Sequence, residues 1–569
     1  MKYIELVKIY EELEKNPSKI KKAEIIANFI KKQTDKDIQI IMMLVQGIVF
    51  PKFYGYELGI ALQMMMKAIS KSTGYDIKDI EEEFKRSGDL GNVVEKLTES
   101  RKQSLLVKKE LELENVFDNL KQLAFIEGSG TQEKKLNLIS ELISSASPKE
   151  AKYVVRTILG DLRVGVAEGI IRDAIAKAFL DDSKEAKDAV EYAMNIYPDF
   201  GEIAIIAKKS GINGLKKLKI KIGQPVQVML GEKVESVDEI IQKFGKIAAE
   251  FKYDGMRAQI HKDGEKIWIY TRRLENVTKQ FPDLVKLCKE CIKVKKCVVE
   301  GEVVGIDKKG QPMPFQILSQ RIQRKYDIEK MVKEIPIQIN LFDVLVVEDE
   351  QVLDKPLLER GKILKEIVKE IPNKFVIARQ IVTDSAKEIE KFYKESIDSK
   401  QEGLFLKVIE SKYVFGRRVG GWYKLKPTME TLDLAIIGAL WGTGKRTGWM
   451  GSFILGCRDE KTGKFLECGM LGTGVKEKKS QENDVTFKEL TEILKPLVIS
   501  EKGGQVKIKP KVVISVDYQE IQKSPNYESG FALRFPRFIS LRSDKSVEDV
   551  DSIERIKYLY KIQKKSKNK

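Results

Sequence analysis

The chain has 569 residues, 42% apolar and 33% charged, too long for one hydrophobic core and too apolar for a disordered polymer. Lys and Arg number 102 against 85 Asp and Glu, a formal charge of +17; such a surplus suits a polyanion, because displacing counterions from phosphates drives binding, although an ion-pair-rich surface has the same composition. No run approaches the roughly 18 apolar residues of a membrane span, and Met1-Lys2-Tyr3-Ile4-Glu5 has no leader-like apolar core, so an intracellular, cytoplasmic protein without a membrane partner is expected.

Residues 1–215 read as helix after helix. Leu6, Tyr10 and Leu13 follow helical spacing, as do Ile25, Phe29 and Ile30. Asn16-Pro17-Ser18 and Ser147-Pro148 mark helix boundaries. The stretch Arg156 to Gly165, with Gly160 and Arg163 inside it, leads into a helix near Ala167–Phe179. Glycines and arginines ahead of a helix N-terminus allow backbone approach to phosphate, as an ordinary interhelical turn also would place them.

From about 220 the period changes to that of strands. They are expected over 247–253, 266–270, 297–304, 337–347, 375–381, 403–408 and 421–426, with Asp263-Gly264 as a hairpin signal and helices between, an α+β pattern with largely antiparallel sheets. After Lys426-Pro427 the pattern is mostly β, over 432–440, 452–457, 464–470 and 512–519, which suggests a small OB-type barrel. Lys561–Lys569 reads as a basic, solvated tail.

Several signals are set aside. Cys288-x-x-Cys291 lacks a second ligand pair for zinc and reads as reduced, packed thiols. His261 is the single histidine, which removes most histidine-based chemistry. Trp441-Gly-Thr-Gly-Lys-Arg446 imitates a phosphate loop, but Ala439 and Arg446 stand where Gly and Ser or Thr are needed.

The chemistry concentrates in Glu250-Phe-Lys252-Tyr-Asp254-Gly-Met-Arg257. A lysine at a strand end beside Asp-Gly is exposed by the turn and held by the sheet. To attack phosphorus it must lose its proton, against a usual pKa of about 10.4. In order after it come Thr271-Arg272-Arg273, Val299-Glu300-Gly301-Glu302-Val303-Val304, Leu341-Phe342-Asp343-Val344, Glu402 to Lys407, and Trp422-Tyr423-Lys424-Leu425-Lys426. Taken singly, Phe342 could be core, and Glu302, Glu402 and Lys424 half-exposed strand residues; the ordered set is what is specific.

That set, with Arg534-Phe-Pro-Arg537-Phe and Arg542-Ser-Asp-Lys545, resembles the covalent nucleotidyltransferases, and among them the archaeal and eukaryotic replicative ATP-dependent DNA ligases, over essentially the whole chain. The resemblance implies an all-α DNA-binding domain (1–215), an α+β adenylation domain (216–427) and an OB-fold domain with a basic tail (428–569). It implies a DNA ligase sealing nicks through lysyl-AMP, with Lys252 carrying AMP. It also implies that Glu250, Arg257, Arg272, Glu302, Phe342, Arg418 and Lys424 bind ATP. Glu402 and Glu302 would hold Mg2+, or Mn2+ in its place. Arg534, Arg537 and Lys545 would orient pyrophosphate, and Arg156, Gly160, Arg163 and Gly165 would contact DNA. Nicked duplex DNA is the implied partner of a monomer, with a sliding clamp as a second partner, Gln103-Ser-Leu-Leu106 being a candidate clamp segment and Lys426–Thr431 a candidate hinge. RNA ligases and capping enzymes, which usually lack such a helical domain, and a non-catalytic DNA clamp are the alternatives.

Overall fold

The computed structural model describes every residue except 101–109, 235, 325, 417–419, 427–429, 443–445, 482–483 and 567–569. Arg418, the 103–106 segment and much of the 426–431 hinge therefore lie outside the described residues. The chain forms two compact units, Met1–Ala386 with Phe405–Lys424, and Lys387–Leu404 with Leu425–Lys569.

Between Tyr3 and Lys216 the described residues form twelve α-helical segments, the last of which, Phe200–Lys216, is broken by the non-helical backbone of Gly211. Tyr3–Lys15 buries Leu6, Tyr10 and Leu13 on one face. Lys19–Ile30 starts where the Ser18 side chain accepts from the Lys21 N–H. Pro148 opens Pro148–Ile158, where its missing N–H costs nothing, and the Ser147 N–H donates to Glu150 Oε2 at 2.9 Å. The helical core continues into Leu345, Val346, Leu353 and Phe415 of the following region.

That region carries two sheets. One has five strands in the order Glu232–Val234, Trp422–Leu425, Gly403–Val408, Ile247–Lys252, Gln380–Thr383. The other runs Lys266–Thr271, Met256–Asp263, Lys296–Gly305, Ile337–Val347, Glu350–Gln351, with Phe375–Ile377 parallel to Ile337–Val347. Side chains alternate across a strand, and here the alternation sorts chemistry from core. Met256, Ala258 and Ile260 face a core built with helices Pro282–Cys291, Phe315–Ile322 and Leu357–Ile367. Arg257, Gln259 and His261 occupy the opposite face, in register with Glu302, Glu300 and Val298. Cys288, Cys291 and Cys297 are free and buried in that core.

Two strand expectations change. Met256–Asp263 is a separate strand that the hairpin joins to Lys266–Thr271; its polar positions hid it because both of its faces are covered. The strand expected over 375–381 is two, Phe375–Ile377 and Gln380–Thr383.

In the second unit a seven-stranded sheet runs Phe465–Leu471, Met450–Arg458, Leu432–Trp441, Gln505–Ile508, Val498–Lys502. Val513–Asp517 also pairs with Leu432–Trp441, and with Arg537–Leu541. The C-terminal region is thus strand-rich, and its described strands do not close into a ring. The expected basic tail begins inside a helix, Ile553–Ser566, because Ile553, Ile556 and Leu559 bury one face of that helix in the core of this region; Lys561 and Ile562 are exposed, and 567–569 lie outside the described residues.

Candidate active site

Lys252 ends the strand Ile247–Lys252 and is half-buried. Its Nζ lies 5.5 Å from the centroid of the Phe405 ring. The turn beyond it requires glycine: a Cβ on Gly255 would stand 2.2 Å from the Val303 carbonyl oxygen, so the lysine turn is seated on the backbone of Lys296–Gly305.

Two residues before Lys252, Glu250 is buried. Its Oε1 accepts from Lys407 Nζ at 2.5 Å and its Oε2 from Gln380 Nε2 at 3.2 Å. Burial pushes the Glu250 carboxyl above its ordinary range, and the Lys407 charge opposes that rise. Lys407 also lies 4.2 Å from the Trp422 ring centroid and 4.8 Å from that of Phe342. Phe342, half-buried, meets Trp422 edge-on at 6.0 Å.

Arg257 completes this group, 5.2 Å from the Phe342 ring centroid. Its Nη1 donates to the Met229 carbonyl at 2.7 Å, and its Nη2 to Glu300 Oε2 at 2.6 Å and Tyr413 Oη at 3.2 Å. Its Nε is buried and has no hydrogen-bond partner among the described residues. Burial works against the Arg257 charge, but Glu300 and Tyr413 outweigh it and hold the guanidinium above its ordinary range. Glu302 is half-buried in register with Arg257. Lys424 is half-buried on Trp422–Leu425, and Arg272 is exposed just beyond Lys266–Thr271.

In the sequence Lys407 and Trp422 stand inside quoted motifs without an assigned role, and Gln259, Gln380 and Tyr413 lie outside those motifs. A charge between Leu406 and Val408 was the available signal, since buried charge needs a partner.

In the second unit, Glu402 is held by Lys426 (2.7 Å) and Gln519 (3.1 Å). Arg534 pairs with Glu520 at 3.0 Å. Lys545 and Arg542 both reach Asp433 Oδ2 at 2.7 Å, and Arg537 is exposed.

The helical loop divides its expected residues. Gly160, Arg163 and Gly165 all have left-handed backbones, with φ of 69°, 61° and 65°, and Lys22 Nζ donates to the Val164 carbonyl beneath them. Arg163 is anchored by Asp161 (2.7 Å) and the Gly88 carbonyl (2.9 Å) while keeping part of its surface exposed. Arg156 departs from the expectation. It is 2% exposed and engaged by Asp89 (2.6 Å) and Glu14 (2.9 Å), so its charge ties helices together instead of facing a ligand.

Comparison with known proteins gives the family. Three family models match in order: DNA ligase N terminus over residues 2–176, ATP dependent DNA ligase domain over 228–426, and ATP dependent DNA ligase C terminal region over 446–545. The DNA ligase of Nanoarchaeum equitans is 45% identical over 566 residues, 99% of each chain. That of Thermococcus fumicolans is 44% identical over 570 residues, 100% of each. The solved structure of Pmar-Lig_PreS3 has a similar fold, with a TM-score of 0.54 at 17% identity over 94% of this chain and 99% of that one. The chain therefore belongs to the archaeal-type ATP-dependent DNA ligases, enzymes that use ATP to seal nicks in duplex DNA.

Proposed function

We propose that Lys252 is the residue that takes AMP in this ligase. The observation that carries the reading is its position: a half-buried amine at a strand end, against Phe405, in the sheet that holds Glu250 and Lys407. The neutral amine attacks the α-phosphorus; the N–P bond forms as the bond to pyrophosphate breaks. AMP then passes to the 5′-phosphate at the nick, and the 3′-hydroxyl displaces it.

The adenine would stack on Phe342, with its amino group donating to Glu250, whose carboxylate Lys407 and Gln380 fix. Arg257, Arg272, Glu302, Arg418 and Lys424 are the proposed contacts to ribose and phosphate. The Arg257 Nε, a buried donor with no acceptor among the described residues, supports its part in this.

Glu302 and Glu402 are the proposed carboxylates for magnesium, or manganese in its place. Both offer oxygen to a hard cation. No cluster of three or more His, Cys, Asp or Glu occurs among the described residues, which suits an ion shared with nucleotide phosphates and one or two carboxylates. Glu402 would have to exchange Lys426 or Gln519 for the ion. When bound, the ion would draw charge from the departing pyrophosphate.

We further read residues 1–215, 216–427 and 428–569 as DNA-binding, adenylation and OB-fold domains, the last moving about 426–431 between steps. Arg534, Arg537 and Lys545 would orient pyrophosphate once Glu520 and Asp433 release two of them. Gly160, Arg163 and Gly165 would meet the DNA backbone, with Arg156 fixing the helices behind them. Action as an intracellular monomer, with a sliding clamp as partner, rests on the resemblance alone. The alternatives of an RNA ligase, a capping enzyme or a non-catalytic clamp are not favoured, given full-length DNA ligase relatives.

Intact-protein mass after incubation with ATP and magnesium tests the central point. A single AMP adduct on the wild type that Lys252→Ala lacks is expected; an adduct that survives the substitution would overturn it.

A further inference from the structure

The segment Gly223–Met229 enters the adenylation region from the helices, and three alternate side chains of one strand grip its backbone. Arg257 donates to the Met229 carbonyl at 2.7 Å. Gln259 makes a matched pair with Val226: Oε1 accepts from the Val226 N–H at 2.8 Å, and Nε2 donates to the Val226 carbonyl at 3.2 Å. His261 Nδ1 accepts from the Gly223 N–H at 3.2 Å. Gln259 and His261 are 1% and 0% exposed.

The direction of every bond in this chain is fixed by the one before it. Because the Gly223 N–H donates to Nδ1, the imidazole proton sits on Nε2, and Nε2 donates to Gln259 Oε1 at 3.0 Å. That oxygen also takes the Val226 N–H, so the amide cannot flip without setting donor against donor. The Gln259 NH2 group is thereby turned to Glu300 Oε1 at 3.2 Å. Glu300 then presents Oε2 to Arg257 at 2.6 Å and to the Tyr413 hydroxyl at 2.7 Å. Burial of His261, which lowers its pKa to about 3, keeps the ring neutral and the order intact.

We propose that Gln259 and His261 are positioning residues for the ligase reaction, orienting Glu300 so that Arg257 is held in one rotamer against the nucleotide while the entering segment is locked to the same strand. The inference rests on the reading of Arg257 as a nucleotide contact. Neither Gln259 nor His261 touches ATP in it; both act through Arg257.

The test is the ATP concentration that gives half-maximal lysyl-AMP formation, followed by intact mass on the full-length protein with magnesium, together with thermal melting. Gln259→Met, nearly isosteric and unable to hydrogen-bond, is expected to raise that concentration by roughly tenfold, the scale of a lost bond to a charged group. His261→Leu is expected to raise it by about threefold, a neutral bond's worth. His261→Gln keeps an acceptor for Gly223 and a donor for Gln259, and is expected to stay near wild type. A purely structural role would lower the melting temperature and the active fraction while leaving the ATP dependence unmoved, and that result would overturn the proposal. If Gln259→Met does not fold, the two His261 variants decide: identical ATP dependence in both and in wild type overturns it. Arg257→Ala is measured in parallel. Should it leave the ATP dependence unchanged, the nucleotide reading of Arg257 fails; should it alone shift the curve, only the positioning role of Gln259 and His261 fails.

Discussion

Lys407 and Glu250 form an ion pair shut off from solvent, Nζ to Oε1 at 2.5 Å, with side chains 1% and 3% exposed. The charges come from adjacent strands of the five-stranded sheet, and each is tolerable only because of the other. A buried pair contributes modestly to stability as a whole, but removing one member strands its partner.

Lys407→Met should therefore destabilise the protein by about 3–5 kcal/mol and abolish lysyl-AMP formation. Adding Glu250→Gln to Lys407→Met should recover much of the stability without recovering activity. Urea unfolding of the two single variants and the double variant gives the coupling energy directly; additive losses would show that the pair is not a unit.

Gly255 makes a separate prediction about the lysine turn. A methyl group there would overlap the Val303 carbonyl, which is backbone and cannot swing away. Gly255→Ala should slow lysyl-AMP formation by roughly a hundredfold, since small misplacements of reacting groups cost about that much, while the protein remains folded by circular dichroism. Unchanged adenylation would mean that the turn accommodates a Cβ without moving Lys252.

Arg156 and Arg163 should separate stability from DNA binding. Arg156→Leu leaves Asp89 and Glu14 without their cation and should cost about 3–5 kcal/mol in unfolding measurements. Arg163→Ala should change stability little, weaken binding to nicked duplex, and reduce the salt slope of that binding by about one. A salt slope identical to wild type would remove Arg163 from the phosphate contacts.

The pH dependence of His261 has a definite sign. Burial lowers its pKa from 6.5 to about 3 in the folded chain. Above pH 6.5 neither state binds the proton; as pH falls below 6.5 the unfolded chain gains it and the folded chain does not, so stability is lost toward acid. Relative to His261→Gln, which does not titrate, wild type should lose about 2 kcal/mol between pH 8 and pH 5. Urea midpoints of the two proteins at those pH values measure it; a constant difference would show that protons reach the folded imidazole.

Much of this protein was legible in one dimension. Helical spacing marked the first 215 residues, alternation and turn residues marked most strands, and the order of short motifs around Lys252 pointed to the chemistry. These are local properties: periodicity, turn geometry and the reactivity of an amine beside Asp-Gly follow from neighbours in the chain. Pairing does not. Lys407 and Glu250 are 157 positions apart, Arg156 and Asp89 are 67, and Gln259 and Glu300 are 41. Whether an arginine in a helix faces a ligand or a buried carboxylate, and whether a polar residue in a strand is solvated or clamps another segment, depends on what the fold brings against it. Arg156 became a helix tie and Gln259 a clamp because burying polar groups demands partners, and only the tertiary structure supplies those from distant sequence.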